Sequence, residues 1–349
     1  MKIAQVAPLA EAVPPKLYGG TERIVSYLTD ELVSLGHEVT LFTTADSVTT
    51  AKREVIWPRA LRFDETLRDP LALHMVMLEQ VARRADEFDI IHLHVDYIGY
   101  PILKRCGVPF LATLHGRLDL PELQPLYDLF ADVPVVSISD SQREPLPQAN
   151  YVTTIHHGIP ERSLLPGFGA GGYLAFIGRI SPEKAPDAAI RIAARAGMRL
   201  KIAAKVDKVD RQYFAEQIEP LLDQPHVDFI GEIGDDVKAK FLGDASALLF
   251  PIAWREPFGL AMIEAMACGT PVVAFRNGSV PEVLTEGVTG FIVGDEDEAV
   301  AALGRLHSID RSRVRRCFEE RFTARRMAED YLAVYRRLIS REQPLKAVV

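Results

Sequence analysis

The sequence predicts an α/β chain made of two doubly wound parallel sheets that face each other across a cleft. Two observations carry that expectation. Short runs rich in Val, Ile and Leu alternate with segments of helical periodicity through almost all of the 349 residues. The alternation is interrupted once, by the Pro/Gly-rich stretch LLPGFGAGG (164–172), and then starts again. The expected division is therefore 1–163 and 164–322, followed by a terminal helix over 323–342.

Each element follows from its residues. KIAQVAP (2–8) reads as a strand, and TERIVSYLTDELVSLG (21–36) as a helix closed by Gly36 in the place of a C-cap glycine. HEVTLFTT (37–44) is the next strand and PLALHMVMLEQVARRA (70–85) the next helix. DIIHLHV (89–95), PFLATLH (109–115) and PVVSIS (134–139) follow as strands. Such runs are apolar on both faces, as parallel strands covered by helices must be. After the break come the strands YLAFIGR, RLKIAAK, VDFIG, ALLFPI, TPVVAF and GFIV. Between them lie helical patterns near DAAIRIAARAG, DRQYFAEQIEPLL and VKAKFLGDA, and one inside WREPFGLAMIEAMACGTPVV (254–273). TARRMAEDYLAVYRRLISRE (323–342) is a single amphipathic helix whose arginines are interrupted by Glu329 and Asp330, so a solvated or domain-crossing face is expected.

Hydrophobic residues at 48% and charged residues at 25% support a sizeable core and an ordered chain. A net charge of −8 argues against a general nucleic-acid binder while leaving room for a local basic pocket. Cys106, Cys268 and Cys317 are widely spaced and odd in number, so neither a disulfide framework nor a zinc spacing follows, and a reducing compartment is expected. The N-terminal apolar run is too short for a signal peptide, and no window approaches the ~20 apolar residues of a membrane span. The expectation is a cytoplasmic protein with no integral membrane segment.

In WREPFGLAMIEAMACGTPVV, the residue before a proline is pushed out of helical dihedrals. Glu256 is thus expected in the loop, with Pro257 near the first helical position and the helix over about 258–267. The helix mouth, with free N–H groups and a positive dipole end, is an anion site. Glu264 would stand about 9 Å along the axis from that mouth. The two acids could hold separated hydroxyl groups of one elongated ligand, with a diphosphate at the mouth. The plainer reading makes Glu256 a cap and Glu264 solvated, but Glu264 is flanked by AMI and AMA, where a charge rarely sits without a partner. Arg179 follows the strand YLAFIG and Lys184 stands five residues on. A cation pair at the carboxyl end of a parallel strand lies where open α/β sheets bind ligands, whereas a salt bridge from Lys184 to Glu183 or Asp187 is the structural alternative. Gly19 and Gly20 allow close backbone approach ahead of a helix that Thr21 could cap. His92 and His94 share one side of a strand, where hydrogen-bonded structure is the favoured reading over a metal. His156-His157 reads as a hinge turn.

EPFGLAMIE resembles the E-x7-E signature of retaining glycosyltransferases of family 4, which have the GT-B fold. GGTE (19–22), TLHGR (113–117), HHGIP (156–160), GRISPEK (178–184) and GSVPEVLTEGVTGFIV (278–293) resemble further elements of that family, in family order. The resemblance implies a hexose moved from a nucleotide-diphosphate sugar to an acceptor hydroxyl with retention, with no cofactor or metal. It implies that Arg179 and Lys184, with the backbone across Pro257, Phe258, Gly259 and Leu260, form a pocket of positive potential for the leaving diphosphate. Glu256 would hold sugar hydroxyls, Glu264 the ribose diol, and His115 would lie against the donor sugar. Gly19 and Gly20 would approach the donor, and Gly231-Glu232 would meet the base. The terminal helix would return to the first domain. Lys205 departs from the glycines common in the family after this strand and adds a phosphate contact or narrows the site. Ser139, Asp140 and Ser141 would line the cleft, and Tyr18, Asp96, Tyr97 and Arg117 are acceptor-side candidates. A GT-B nucleotide-sugar epimerase and a non-catalytic nucleotide-sugar binding protein stay open as alternatives.

Overall fold

The computed structural model describes residues 1–17 and 19–346, with side chains through Ser340. Tyr18, an acceptor-side candidate, lies outside the described residues. The chain forms two compact units, one of Met1–Gly158 with the chain from Ala324 onward, the other of Ile159–Thr323.

The first unit is a seven-stranded sheet in the order β3-β2-β1-β4-β5-β6-β7, every pairing parallel. Its strands are β1 (Lys2–Val6), β2 (Glu38–Thr44), β3 (Lys52–Trp57), β4 (Ile90–Leu93), β5 (Phe110–Thr113), β6 (Val135–Ser137) and β7 (Tyr151–Thr154). The order reverses between β1 and β4, the place where such sheets gather ligand-binding loops. The central strands are buried on both faces, as their unbroken apolar runs require. The edge strands β3 and β7 were not expected from the sequence. KREVIW and YVTT are partly exposed and carry polar residues, so they lack the two-sided apolar signal.

Helix α1 (Gly20–Ser34) ends as Gly36 implied. With φ +83, Gly36 donates to Val33 O at 2.9 Å and His37 donates to Leu32 O at 3.2 Å, the paired bonds of a left-handed glycine cap. Helix α2 (Pro70–Arg83) starts on an Asp69 carboxylate that accepts from Leu71 and Ala72. The last helix, Ala324–Lys346, packs in this unit against α1. Tyr331 and Tyr335 anchor it, each 1% exposed or less and each with its hydroxyl hydrogen-bonded, as a buried phenol requires.

The second unit is a six-stranded parallel sheet in the order β10-β9-β8-β11-β12-β13. Its strands are β8 (Tyr173–Arg179), β9 (Arg199–Lys205), β10 (Val227–Gly231), β11 (Ala247–Phe250), β12 (Val272–Phe275) and β13 (Gly290–Val293). Here the order reverses between β8 and β11. The segment LLPGFGAGG, expected as the join between domains, lies inside this unit. The chain passes from one unit to the other at Gly158–Ile159, where Ile159 donates to Phe322 O at 3.0 Å. Gly167, Gly169 and Gly171 of this stretch serve packing: a Cβ on Gly167 would stand 2.3 Å from Gly243 O. Arg311 then ties the carbonyls of Gly167, Gly243 and Ala245 together at 2.9–3.2 Å. Among the described residues no helix is long and apolar enough to cross a membrane.

Gly290 tests the closeness of β12 and β13. Its φ is +153, and a Cβ there would sit 1.8 Å from Val272 O. Gly290→Ala should lower the unfolding free energy of the second unit by about 3 kcal/mol or more, measured by denaturant unfolding. An unchanged midpoint would contradict this packing.

Candidate active site

At the reversal point of the second sheet, β8 delivers Arg179 and the turn to Lys184, and β11 delivers the loop from Pro251 to Gly259. Lys184 Nζ lies 2.5 Å from Glu256 Oε2, and Trp254 Nε1 donates to the same oxygen at 2.8 Å. The ammonium also stands over the rings of Phe250 and Trp254, at 5.7 and 5.5 Å from their centroids. Glu256 is only 8% exposed, so its charge depends on these donors. The two loops are further joined by Ala253 N, which donates to Glu183 O at 2.8 Å.

The helix after this loop, α3 (Leu260–Ala267), begins two residues later than expected. Gly259 adopts φ +83 and stops helical dihedrals from extending back to Phe258, so Pro257 is a loop residue and not the first helical one. Glu264 is the fifth helical residue, about 6 Å along the axis from Leu260. It is buried and not solvated: Lys238 Nζ binds its Oε1 at 2.8 Å, with both side chains 10% exposed. Lys238 also reaches Asp235 at 3.1 Å.

A second segment holds the Glu256 loop from behind. Gly278, at φ +56, approaches so closely that a Cβ would lie 2.3 Å from Glu256 O. Ser279 N donates to Glu256 O at 3.0 Å, Ser279 Oγ to Phe258 O at 2.7 Å, and Asn277 Nδ2 to Ile252 O at 2.7 Å. Lys238, Trp254, Asn277, Gly278 and Ser279 were not picked out by sequence reasoning. The available signals were Trp254 opening WREPFGLAMIEAMACGTPVV and Gly278-Ser279 opening a second motif.

Arg179 departs from expectation. Rather than sharing a bare cationic patch with Lys184, it is ringed by carboxylates: Glu183 at 3.3 Å, Asp210 at 3.5 Å and Asp207 at 4.0 Å. Lys205, paired across the sheet with Arg179, binds Asp207 at 3.0 Å. Glu183, offered above as a partner for Lys184, serves Arg179 instead. The expected positive pocket is therefore a charge-compensated network in this structure. Gly231 (φ +75) and the exposed Glu232 stand at the carboxyl end of edge strand β10, and Phe258 and Leu260 flank Gly259.

In the first unit, Gly19 packs on Pro15, whose Cβ would be 2.8 Å from an added Cβ. Gly20 is the first residue of α1, so Thr21 is no cap. Glu22 turns inward, and burial raises its carboxyl above the usual range. A buried hydrogen-bonded chain links the central strands of this unit to its last helix: His92 binds Tyr335 OH and Thr113 Oγ1, each at 2.7 Å. His94 Nε2 meets Gln5 Oε1 at 2.7 Å and its Nδ1 meets His115 Nε2 at 2.9 Å. Because Gln5 Oε1 only accepts, His94 carries its proton on Nε2 and accepts from His115 Nε2–H. His115 Nδ1 is buried without a hydrogen-bond partner, and the ring stacks on His157 at 5.3 Å. Burial lowers the pKa of His92, His94 and His157 well below the ordinary histidine value, and that of His115 to about 3.

Asp96 (φ +50) and Tyr97 are exposed just after β4, and Arg117 forms an ion pair with Asp119 at 2.6 Å. Ser139 does not line an open surface. It is fully buried, and its Oγ accepts from Gln142 N at 3.0 Å. The Asp140 carboxylate takes the Thr154 hydroxyl, and Ser141 opens a short helical turn.

Comparison with known proteins places this geometry. Residues 169–318 match the family described as "Glycosyl transferases group 1", and residues 18–176 match "Glycosyltransferase Family 4". The chain is similar to the D-inositol 3-phosphate glycosyltransferase of Kribbella flavida, 28% identical with 82% of each chain covered. Among solved structures it is similar to AviGT4, a glycosyltransferase involved in avilamycin A biosynthesis, with TM-score 0.74, 26% identity and 97% and 98% of the two chains covered. The fold is also that of Anabaena HepE, solved with UDP and glucose, at TM-score 0.75, 18% identity and coverage of 96% and 99%.

The histidine chain makes a pH prediction. The folded state holds these imidazoles neutral, whereas the unfolded chain protonates them below about 6.5. Their contribution is complete above that pH and is lost as pH falls, at up to about 1.4 kcal/mol per pH unit for each. Thermal unfolding followed from pH 8 to 5 should show a midpoint that falls steadily below pH 6.5; a flat midpoint would count against a neutral buried chain.

Proposed function

The chain belongs to glycosyltransferase family 4, enzymes that transfer a sugar from a nucleotide sugar, and from that premise we propose that it is a retaining hexosyltransferase that needs no metal. The observation that carries the proposal is the Lys184–Glu256–Trp254 cluster beside the first turn of α3, at the reversal point of the second sheet. A diphosphate at that turn meets the N–H groups of Phe258, Gly259 and Leu260, since Pro257 has none, and the positive end of the helix. Lys184 has three N–H donors, so it can hold Glu256 and a phosphate oxygen together. Arg179 offers a planar fork to the same diphosphate, and Lys205 a further charge. Once turned to the diphosphate, these donors stabilise the charge that develops on it as it leaves.

Glu256 accepts from sugar hydroxyls. Glu264, oriented by Lys238, accepts from the ribose diol. Gly231 and Glu232 take the base. The bond between the anomeric carbon and the diphosphate oxygen breaks as the acceptor oxygen forms its bond on the same face. The acceptor proton passes to the departing phosphate oxygen. Neither glutamate then acts as a glycosidase-type acid or nucleophile. In the first unit, His115, Gly19 and Gly20 are the donor-side candidates, and Asp96, Tyr97 and Arg117 the acceptor-side ones. D-inositol 3-phosphate is a first acceptor to test, because the Kribbella relative bears that name.

The test is a panel of UDP-, GDP- and ADP-hexoses with hydroxyl acceptors, in EDTA and in Mg2+, with the product anomer read by NMR. Transfer in EDTA with the donor configuration kept supports the proposal. An inverted product, or a strict need for Mg2+, overturns it in that part. Nucleotide binding without transfer would favour a silent binding protein. Lys184→Ala should lower kcat by about 100-fold or more while circular dichroism stays native, and an unchanged kcat would remove Lys184 from the machinery.

A further inference from the structure

The charges around Arg179 do not favour an incoming diphosphate as they stand. Arg179, Lys184 and Lys205 are faced by four carboxylates, those of Glu183, Asp207, Asp210 and Glu256. A further anion placed among them is repelled unless some of the acids withdraw.

The four acids are not equally fixed. Glu256 is held by Lys184, by Trp254 and, through its backbone, by Ser279. Glu183 is pinned through its carbonyl to Ala253. Asp207 and Asp210, by contrast, both ride on the short turn after β9, whose residue Val209 is 84% exposed. Asp207 spans two cations, with one oxygen 3.0 Å from Lys205 Nζ and the other 4.0 Å from Arg179 Nη1. Asp210 is only 9% exposed, and its Oδ2 faces Arg179 Nε at 3.5 Å. That oxygen and that nitrogen are both buried without a hydrogen-bond partner. The contact is thus an ion pair lacking the directed bonds that a phosphate oxygen would supply.

We infer that Asp207 and Asp210 are a built-in counter-anion for Arg179 and Lys205, displaced when a nucleoside diphosphate binds. The inference rests on the reading of Arg179 as a diphosphate ligand. It names a specificity device that the family resemblance does not supply. An entering ligand must replace an anion that bridges two cations. A diphosphate can reach both, whereas a monophosphate reaches one and leaves the other cation to be re-paired. The turn Lys205–Asp210 therefore selects diphosphates against monophosphates and free phosphate, and it sets donor affinity by competition.

The experiment is calorimetric titration of the full chain with UDP, GDP and ADP and with their monophosphates. It compares the unaltered protein with Asp207→Asn, Asp210→Asn and Arg179→Ala, each checked by thermal unfolding. Asparagine keeps the shape of the turn and removes the charge. Asp207→Asn should bind the diphosphate roughly two- to fivefold tighter, and the monophosphate should gain more, so that the ratio between them narrows. Asp210→Asn should act in the same direction and carries the test if Asp207→Asn does not fold. Equal or weaker diphosphate binding by the folded asparagine variants overturns the inference. If Arg179→Ala still weakens binding in that case, the site reading survives without it. Failure of the unaltered chain to bind any of the nucleotides removes both.

Discussion

A carboxylate as buried as Glu256 requires partners, and it has two on a single oxygen, Lys184 and Trp254. The pair does more than satisfy a charge. Lys184 belongs to the turn after β8 and Glu256 to the loop after β11, the two strands between which the sheet order reverses. Their contact, with the Ala253 N–Glu183 O bond, joins the loops on either side of that point. Gly278 and Ser279 back the same loop, and Gly278 can do so only because it has no side chain to strike Glu256 O. The position of α3, and with it Glu264, follows from this arrangement.

The two units organise polar groups by opposite means. The second compensates charge with charge: Lys184 with Glu256, Lys238 with Glu264, and Arg179 with three acids. The histidine chain of the first uses no charge. Its imidazoles, phenols and the Gln5 amide pass neutral hydrogen bonds along a buried chain, and burial keeps the rings unprotonated. Within the chain the Gln5 oxygen sets the direction of the His94–His115 branch, which leaves His115 Nδ1 as an accepting nitrogen.

Much of the fold was legible because parallel strands must be apolar on both faces, and such runs stand out between helical patterns. β3 and β7 escaped because edge strands are under no such demand. The start of α3 was misjudged because the proline rule at Glu256-Pro257 was weighed above Gly259, whose left-handed backbone governs the entry. LLPGFGAGG looked like a linker because glycines in a row usually mean freedom. Here they mean contact, with the backbone of Gly167 against that of Gly243. Ser139 looked accessible at a strand end, yet its hydroxyl is consumed by the turn it caps.

By itself, the sequence determined the alternation of the central strands with helices, the two-sheet class, and the placing of Arg179 at a strand end and of Glu256 ahead of the helix that carries Glu264. These follow from periodicity, turn chemistry and spacing, which are local properties of the chain. Only the tertiary structure decided which charge meets which. Lys184 finds Glu256 across 72 residues and Lys238 finds Glu264 across 26, while Glu183, next to Lys184, turns to Arg179. Such partnerships depend on how strands align in the sheet and how loops pack above it, and distance along the chain carries no record of either.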